Sequence, residues 1–141
     1  MGTPRELLDG FSAAIASSSA DLAAVCTPDV EFRDSMAEVS GIAAVGEYLK
    51  AWWTAFPDAT VSIDDIVTSG DQAVGRMLYR GTQTGPLVGP AGEIPATGKP
   101  VELRGAGWIT IRDGKIARFD GYYDTMTMMV QLGVVPMPAN V

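Results

Sequence analysis

The fold is decided by residues 101–133, VELRGAGWITIRDGKIARFDGYYDTMTMMVQLG. Asp113 and Gly114 stand between two runs of strand-forming residues, and Asp-Gly is typical of the two-residue type I′ turn that joins antiparallel strands. The segment therefore predicts a long β-hairpin. A short helix follows it from Asp124 to Leu132, with Gly133 as its C-terminal cap.

A two-residue turn also predicts which side chains share a face of the hairpin. Since strand side chains alternate, Asp120 and Asp124 would lie on one face, beside Gly105 and Gly107. Glycines project no side chain, so this face predicts a cavity with two carboxylates in its wall. The opposite face, expected to contact a partner subunit, would hold Trp108, Phe119 and Tyr123. A single β-bulge would exchange the faces beyond it.

The remaining sequence predicts helices first and strands afterwards. Thr3 is a good N-cap for a first helix, Asp21 can cap a second, and apolar residues recur every three or four positions in a third. Helices are predicted at residues 4–17, 22–26 and 41–56, and strands at 30–34, 60–68 and 73–84. Residues 85–100, rich in Gly and Pro, predict a long loop, either a lid over a pocket or an inert connection. The order predicts an α+β domain in which a curved antiparallel sheet wraps around a long helix.

Composition limits the class of function. The 141 residues suit one domain spanning 1–141, and a net charge of −7 argues against nucleic acid as a partner. No apolar run reaches the roughly 18 to 20 residues that span a membrane, and the first residues lack the layout of a signal peptide, so a cytoplasmic protein is expected. The single cysteine, Cys26, is expected to be a small buried residue.

The chain contains no histidine, and this restricts its chemistry further. Ser-His and Cys-His nucleophile pairs are excluded, and so is the commonest metal ligand. Acid–base catalysis would have to use Asp, Glu, Tyr or Lys side chains with pKa values tuned by their surroundings.

Several short motifs occur in order between Asp29 and Pro136. They are Phe56-Pro57-Asp58, residues 80–86 (RGTQTGP), residues 95–99 (PATGK), Asp113-Gly114-Lys115-Ile116, Tyr122-Tyr123-Asp124 and Gln131-Leu132-Gly133. Together they resemble the SnoaL-like polyketide (ester) cyclase family of the nuclear transport factor 2 and ketosteroid isomerase superfamily. The resemblance implies a cone-shaped α+β barrel with a deep apolar pocket, assembled as a homodimer or homotetramer through the sheet face.

The resemblance also implies a chemistry. In the cyclases an Asp before the terminal helix is the acid–base residue for an intramolecular aldol closure that needs no cofactor and no metal. The matching residue here is Asp124, and Asp120 on the same predicted face would tune its pKa. Asp124 is also well placed to be only the N-cap of the terminal helix. The candidate substrate contacts are Tyr79, Gln83, Tyr122, Arg118, Trp52, Trp53 and Arg76.

Three functional hypotheses follow from these residues. The first is a cofactor-independent cyclase or isomerase acting on an apolar, carbonyl-bearing small molecule. The second is an epoxide hydrolase in which Arg118, Asp120 and Asp124 form a set similar to that of limonene-epoxide hydrolases. The third is a non-catalytic ligand-binding domain in which Asp124 only caps a helix.

Overall fold

The structure, a computed structural model, describes residues 2–17, 21–89 and 92–135. The helices are α1 (Pro4–Ala16), α2 (Leu22–Val25), α3 (Ile42–Ala55) and α4 (Thr125–Gln131). The strands are β1 (Cys26–Arg33), β2 (Glu38–Ser40), β3 (Thr60–Ser69), β4 (Gln72–Thr82), β5 (Leu87–Gly89), β6 (Gly92–Ile94), β7 (Pro100–Arg112) and β8 (Lys115–Tyr123). The α+β class and the order of the long elements are as predicted.

The N-terminal helices begin where the sequence places their caps. The Thr3 hydroxyl accepts a hydrogen bond from the Glu6 backbone N–H at 3.1 Å, and Asp21 caps α2 in the same way through the N–H of Ala23. The apolar stripes of α1 and α3 are buried against the sheet at Leu7, Leu8, Phe11, Val45, Leu49 and Trp52. These contacts stabilise the helices by removing apolar surface from water.

Six strands form one sheet in the order β2-β1-β8-β7-β4-β3, and β5 pairs with β6 in a separate hairpin. All neighbours in the large sheet are antiparallel except β1 and β8, which run parallel. The sheet is therefore antiparallel as predicted, apart from this one parallel pair. The parallel pairing brings the end of β1 beside the end of β8, and the candidate site lies there.

The Asp113-Gly114 turn is present, and both residues have positive φ. Arg112 pairs with Lys115 as predicted, but the register shifts by one residue between Thr110 and Ile111. Beyond this bulge Trp108 pairs with Asp120, Gly107 with Gly121 and Gly105 with Tyr123. The predicted pairing of β8 with β7 was therefore wrong beyond the bulge, because one extra residue reverses the alternation.

The bulge decides which β8 side chains enter the core. Phe119 is buried in the core cluster that contains Leu8 and Phe11, and Tyr123 packs against a second cluster that contains Trp52 and Phe56. Neither therefore belongs to an outer, partner-facing surface as predicted. The outer face instead exposes Trp108 (44% exposed) and Tyr122 (57% exposed). Assembly into a homodimer or homotetramer through this face stays a prediction.

The Gly- and Pro-rich loop is anchored to the core. It contains the β5–β6 hairpin, whose Leu87 is fully buried, while residues 90 and 91 lie outside the described residues. No described helix is both long enough and apolar enough to cross a membrane.

Candidate active site

An internal cavity of about 80 Å³ lies between α3 and the inner face of the sheet. Its wall is mostly apolar and includes Leu49, Trp52, Met77, Leu103 and Phe119. Four polar residues also line it: Asp34, Tyr79, Tyr122 and Tyr123. An apolar pocket with a few convergent polar groups is the usual form of a small-molecule site.

Asp34 follows the last residue of β1 and is largely withdrawn from solvent. Its Oδ2 accepts a hydrogen bond from the Tyr48 hydroxyl at 2.7 Å, and its Oδ1 accepts from the N–H groups of Met36 at 2.8 Å and Ala37 at 3.0 Å. Burial raises the pKa of Asp34, and these hydrogen bonds only partly oppose the rise. Asp34 therefore holds a proton more strongly than an ordinary aspartate.

Two tyrosines line the cavity from β4 and β8, the strands on either side of β7. Tyr79 and Tyr123 meet the Trp52 ring edge-on, at centroid distances of 5.6 and 6.0 Å. Both hydroxyls are buried. Tyr79 has no hydrogen-bond partner within the described residues, whereas the Tyr123 hydroxyl lies beside the hydroxyls of Ser35, Tyr48 and Thr125. Burial raises the pKa of each tyrosine, and the negative charge of Asp34 adds to the rise at Tyr123. Both therefore stay protonated at neutral pH and can donate to a ligand oxygen.

Asp34 was not among the predicted site residues, although a signal for it existed. The predicted strand 30–34 alternates Val30, Phe32 and Asp34 on one face, so it places a carboxylate on an apolar surface. Both Val30 and Phe32 are buried in the core. A charged residue that continues an apolar face is either paired or functional, and this pattern could have identified it.

Asp124 is the N-cap of α4. Its carboxylate accepts hydrogen bonds from the Thr127 N–H at 3.2 Å and the Thr127 hydroxyl at 2.7 Å. The hydroxyl and N–H of Thr127 lower the pKa of Asp124, which lies on the surface. The capping role considered for this residue is confirmed, whereas its catalytic role stays a prediction.

Asp120 lies on the outer face of β8 and is only 14% exposed. It accepts hydrogen bonds from Arg118 Nε at 2.9 Å and Arg33 Nε at 3.3 Å, and Arg118 also contacts Glu31 at 3.3 Å. The Arg118–Asp120 contact of the epoxide-hydrolase hypothesis is thus present. Asp124 follows the last residue of β8 and bonds Thr127. Asp120 pairs with Trp108, so the prediction that it lies beside Gly105 and Gly107 in a cavity wall was wrong.

The predicted substrate contacts divide between the cavity and other places. Tyr79 and Trp52 line the cavity, and Tyr122 borders it while its ring points outward. Four residues lie elsewhere: Trp53, whose Nε1 donates to the Ala14 carbonyl at 2.7 Å; Arg76, paired with Asp65 on the outer face; Arg118; and Gln83.

Gln83 is fully buried and holds the Gly- and Pro-rich loop in place. Its Nε2 donates to the carbonyls of Ile94 and Pro95, both at 3.2 Å, and its Oε1 accepts from the Thr97 hydroxyl at 2.8 Å. The side chain therefore satisfies the loop backbone. A glutamine that was predicted to contact the substrate therefore anchors this loop.

Within residues 2–17, 21–89 and 92–135, no group of three or more His, Cys, Asp or Glu side chains could hold a metal ion. The single cysteine, Cys26, is buried, and burial raises the pKa of its thiol to about 12. It is therefore the small buried residue that the sequence predicted.

Solved structures of other proteins share this architecture. A candidate SnoaL-like polyketide cyclase from Jannaschia sp. CCS1 is 20% identical and superimposes with a TM-score of 0.79, covering 96% of this chain and 99% of that one. A protein with a ketosteroid isomerase-like fold from Catenulispora acidiphila is 20% identical, with a TM-score of 0.75 over 99% of this chain and 98% of its own. These likenesses show the fold.

A further similar structure is IdmH from Streptomyces antibioticus, a candidate polyketide cyclase. It is 26% identical, covers 94% of this chain and 99% of its own, and has a TM-score of 0.74. No curated protein sequence matches this chain. The model of the SnoaL-like domain family matches residues 5–119, which is most of the chain. This protein therefore belongs to the SnoaL-like domain family.

Proposed function

We propose that this protein is a cofactor-independent cyclase or isomerase that uses carboxylate acid–base catalysis on an apolar small molecule bearing a carbonyl group. The observation that carries the proposal is Asp34, a carboxyl group with a raised pKa at the edge of an apolar cavity that is also lined by two tyrosines with buried hydroxyls. The candidate polyketide cyclases among the similar structures favour intramolecular aldol closure of a polyketide-like ester as the reaction.

The first step would be removal of a proton from the carbon next to the substrate carbonyl. That C–H bond breaks, the proton moves to the Asp34 carboxylate, and the electron pair forms an enolate. Desolvation makes the Asp34 carboxylate a stronger base than it would be in water, because burial penalises its charged form. Tyr48 and the two backbone N–H donors fix the orientation of the carboxylate.

The negative charge of the enolate develops on the former carbonyl oxygen. Tyr123 and Tyr79 line the cavity with buried O–H groups, and the Tyr79 hydroxyl has no competing acceptor within the described residues. Donors that are already oriented in a site shielded from water stabilise such a charge without reorganising. The charge on Asp34 contributes to the raised pKa of Tyr123 but not to that of Tyr79. We therefore assign Tyr123 the larger share of this stabilisation.

The enolate carbon can then react in two ways, and each way accounts for the proton held by Asp34. In a cyclase it forms a carbon–carbon bond with a second carbonyl of the same molecule, and the resulting alkoxide takes the proton from Asp34. In an isomerase the proton returns to a different carbon. Both routes restore the Asp34 carboxylate and consume no other reactant.

The proposal is tested by exchange of carbon-bound hydrogen with solvent. The ketone 2-tetralone is incubated in D₂O with wild-type protein, Asp34→Asn or Asp124→Asn, and loss of its α-proton signal is followed by NMR. We expect Asp34→Asn to lower the exchange rate about 100-fold or more, because removal of a general base typically costs that much. Asp124→Asn should retain the wild-type rate, since Asn still caps α4.

The two variants separate the candidate bases. Loss of exchange in Asp124→Asn alone would move the base to Asp124, as the family resemblance implies. Asn at position 34 can still accept from Met36 and Ala37, so the variant should stay folded, with a cooperative thermal unfolding transition. Absence of exchange by wild-type protein across a panel of cyclic ketones and 1,3-dicarbonyls would favour the non-catalytic binding domain.

A further inference from the structure

The inner cavity is too small to hold a complete drug-sized ligand. Its volume is about 80 Å³, whereas sites that enclose such molecules usually measure about 300–1,000 Å³. A second, open cleft of about 480 Å³ lies on the other side of Asp34. The cavity and the cleft share four lining residues: Asp34, Gly121, Tyr122 and Tyr123. The cavity and the cleft therefore adjoin each other at these residues.

Gly121 occupies the junction between the two spaces. A Cβ added there would lie 3.4 Å from Phe119 Cε1 on the cavity side and 3.5 Å from Asp34 Cβ. These are ordinary van der Waals contacts, and no positive φ requires glycine at this position. Packing therefore does not explain the missing side chain, but its absence leaves room between the phenyl ring and the carboxylate.

The outer cleft offers unused hydrogen-bond donors. Arg33 is 51% exposed at its side chain and donates from Nε to Asp120 at 3.3 Å, while its terminal amino groups have no partner within the described residues. Asp120 is largely covered and already accepts from two arginines. Both carboxylates in the cleft therefore already accept hydrogen bonds. The donors that remain for a ligand belong to the Arg33 guanidinium, which prefers carboxylate or carbonyl oxygens as acceptors.

We propose that the natural ligand is a two-part molecule. Its apolar, carbonyl-bearing part occupies the cavity, and a chain passes Gly121 to place a carboxylate or ester oxygen against Arg33 in the outer cleft. The position of the carbonyl beside Asp34 rests on the proposed function. Gly121 and Arg33 then determine which ligands fit, Gly121 by the width of the passage and Arg33 by the donors at its end.

Matched ligands test the proposed second part. Butyrophenone and 4-oxo-4-phenylbutanoate share a phenyl ketone and differ in the carboxylate end, and the methyl ester of the latter keeps the acceptor oxygen without the charge. Affinities are measured at equilibrium by tryptophan fluorescence and by NMR titration. We expect the carboxylate to bind about tenfold more tightly than butyrophenone, as a charge-assisted hydrogen bond allows. Equal affinity of acid and ester would identify a neutral ester as the recognised end, and preference for the acid would identify a carboxylate.

Variants of Arg33 and Gly121 test whether these residues determine how the long ligands bind. Arg33→Met should remove the tenfold advantage and leave butyrophenone binding unchanged. The matched control is Arg104→Met, because Arg104 is highly exposed and contacts only Glu102, at 3.9 Å, among described side chains. Gly121→Ala should weaken the two long ligands, and Gly121→Val should weaken them further. Gly46→Ala is the glycine control, since its new Cβ would meet only Leu22, at 3.9 Å.

The outcomes separate this inference from the proposed function. A tail-dependent affinity without hydrogen exchange would overturn the proposed function and retain the two-part site. Hydrogen exchange without any advantage for the long ligands, or an advantage that survives Arg33→Met, would overturn the inference alone. Failure of wild-type protein to bind any of the three ligands would overturn both. Gly121→Ala and Arg33→Met keep the test decisive if Gly121→Val does not fold.

Discussion

The end of β1 and the N-terminus of α4 lie side by side, and each presents an aspartate in a different environment. Ser35 follows Asp34, Thr125 follows Asp124, and the two hydroxyl oxygens are 2.5 Å apart. Asp34 lines the cavity, where burial raises its pKa. Asp124 lies at the surface, where hydrogen bonds from Thr127 lower its pKa.

The two residues are both aspartates, so the opposite shifts of their pKa values come from their environments. Both carboxylates accept a hydroxyl hydrogen bond at 2.7 Å, so the difference does not come from their partners alone. Water solvates the charge on Asp124, whereas the apolar wall beside Asp34 cannot. Proximity to the terminal helix therefore identifies a region of the molecule, and solvation identifies which aspartate in it is suited to acid–base catalysis.

The largest effect is expected from variants of two adjacent tyrosines on β8, Tyr122 and Tyr123. Tyr123→Phe removes the buried hydroxyl beside Asp34 and should lower the rate of α-proton exchange about 100-fold, as loss of one oriented donor to an oxyanion does. Tyr122→Phe is the matched control, because the Tyr122 ring is exposed. Equal loss in both variants would show that the inward direction of the hydroxyl is irrelevant.

A smaller effect is expected at the α4 cap. Asp124→Ala removes the acceptor for the Thr127 N–H and should lower the melting temperature by about 2–5 °C, whereas Asp124→Asn should lower it less. Thermal unfolding followed by circular dichroism measures both. The capping assignment would be contradicted if Asn and Ala destabilised the protein equally.

The smallest effects concern pH, and the two aspartates should give opposite signs. The folded-state pKa of Asp34 is raised, so its contribution to stability is full below the unfolded-state pKa and is lost as pH rises through the folded-state value. The folded-state pKa of Asp124 is lowered, so its contribution is present above the unfolded-state pKa and is lost as pH falls through the folded-state value.

Urea unfolding between about pH 3 and pH 7 measures this difference. Relative to wild type, Asp34→Asn should gain stability as pH rises, and Asp124→Asn should lose it. Parallel trends in the two variants would contradict the opposite environments described above.

Local sequence signals predicted the elements well because caps and turns depend on a few adjacent residues. The Thr3, Asp21 and Asp124 caps and the Asp113-Gly114 turn are all where the sequence places them. Such contacts span two or three residues, so their geometry follows from the side chains present.

The candidate site was harder to predict because it depends on register and on distant pairing. One bulge near Thr110 turned Phe119 inward and Asp120 outward, against the simple alternation. The parallel pairing of β1 with β8 then placed Asp34 beside Tyr123, although the two residues are far apart in sequence. Nothing local to the Asp34 strand indicated that pairing.

The amino-acid sequence was enough to predict the α+β class, the capped helices, the central hairpin and, through ordered motifs, the family. It also restricted acid–base catalysis to groups other than histidine. The folded structure was needed to identify the desolvated aspartate, the tyrosine hydroxyls buried near it and the place where the cavity meets the outer cleft. The pKa of a group and the hydrogen bonds it makes depend on the groups around it, and strands far apart in the chain supply those groups.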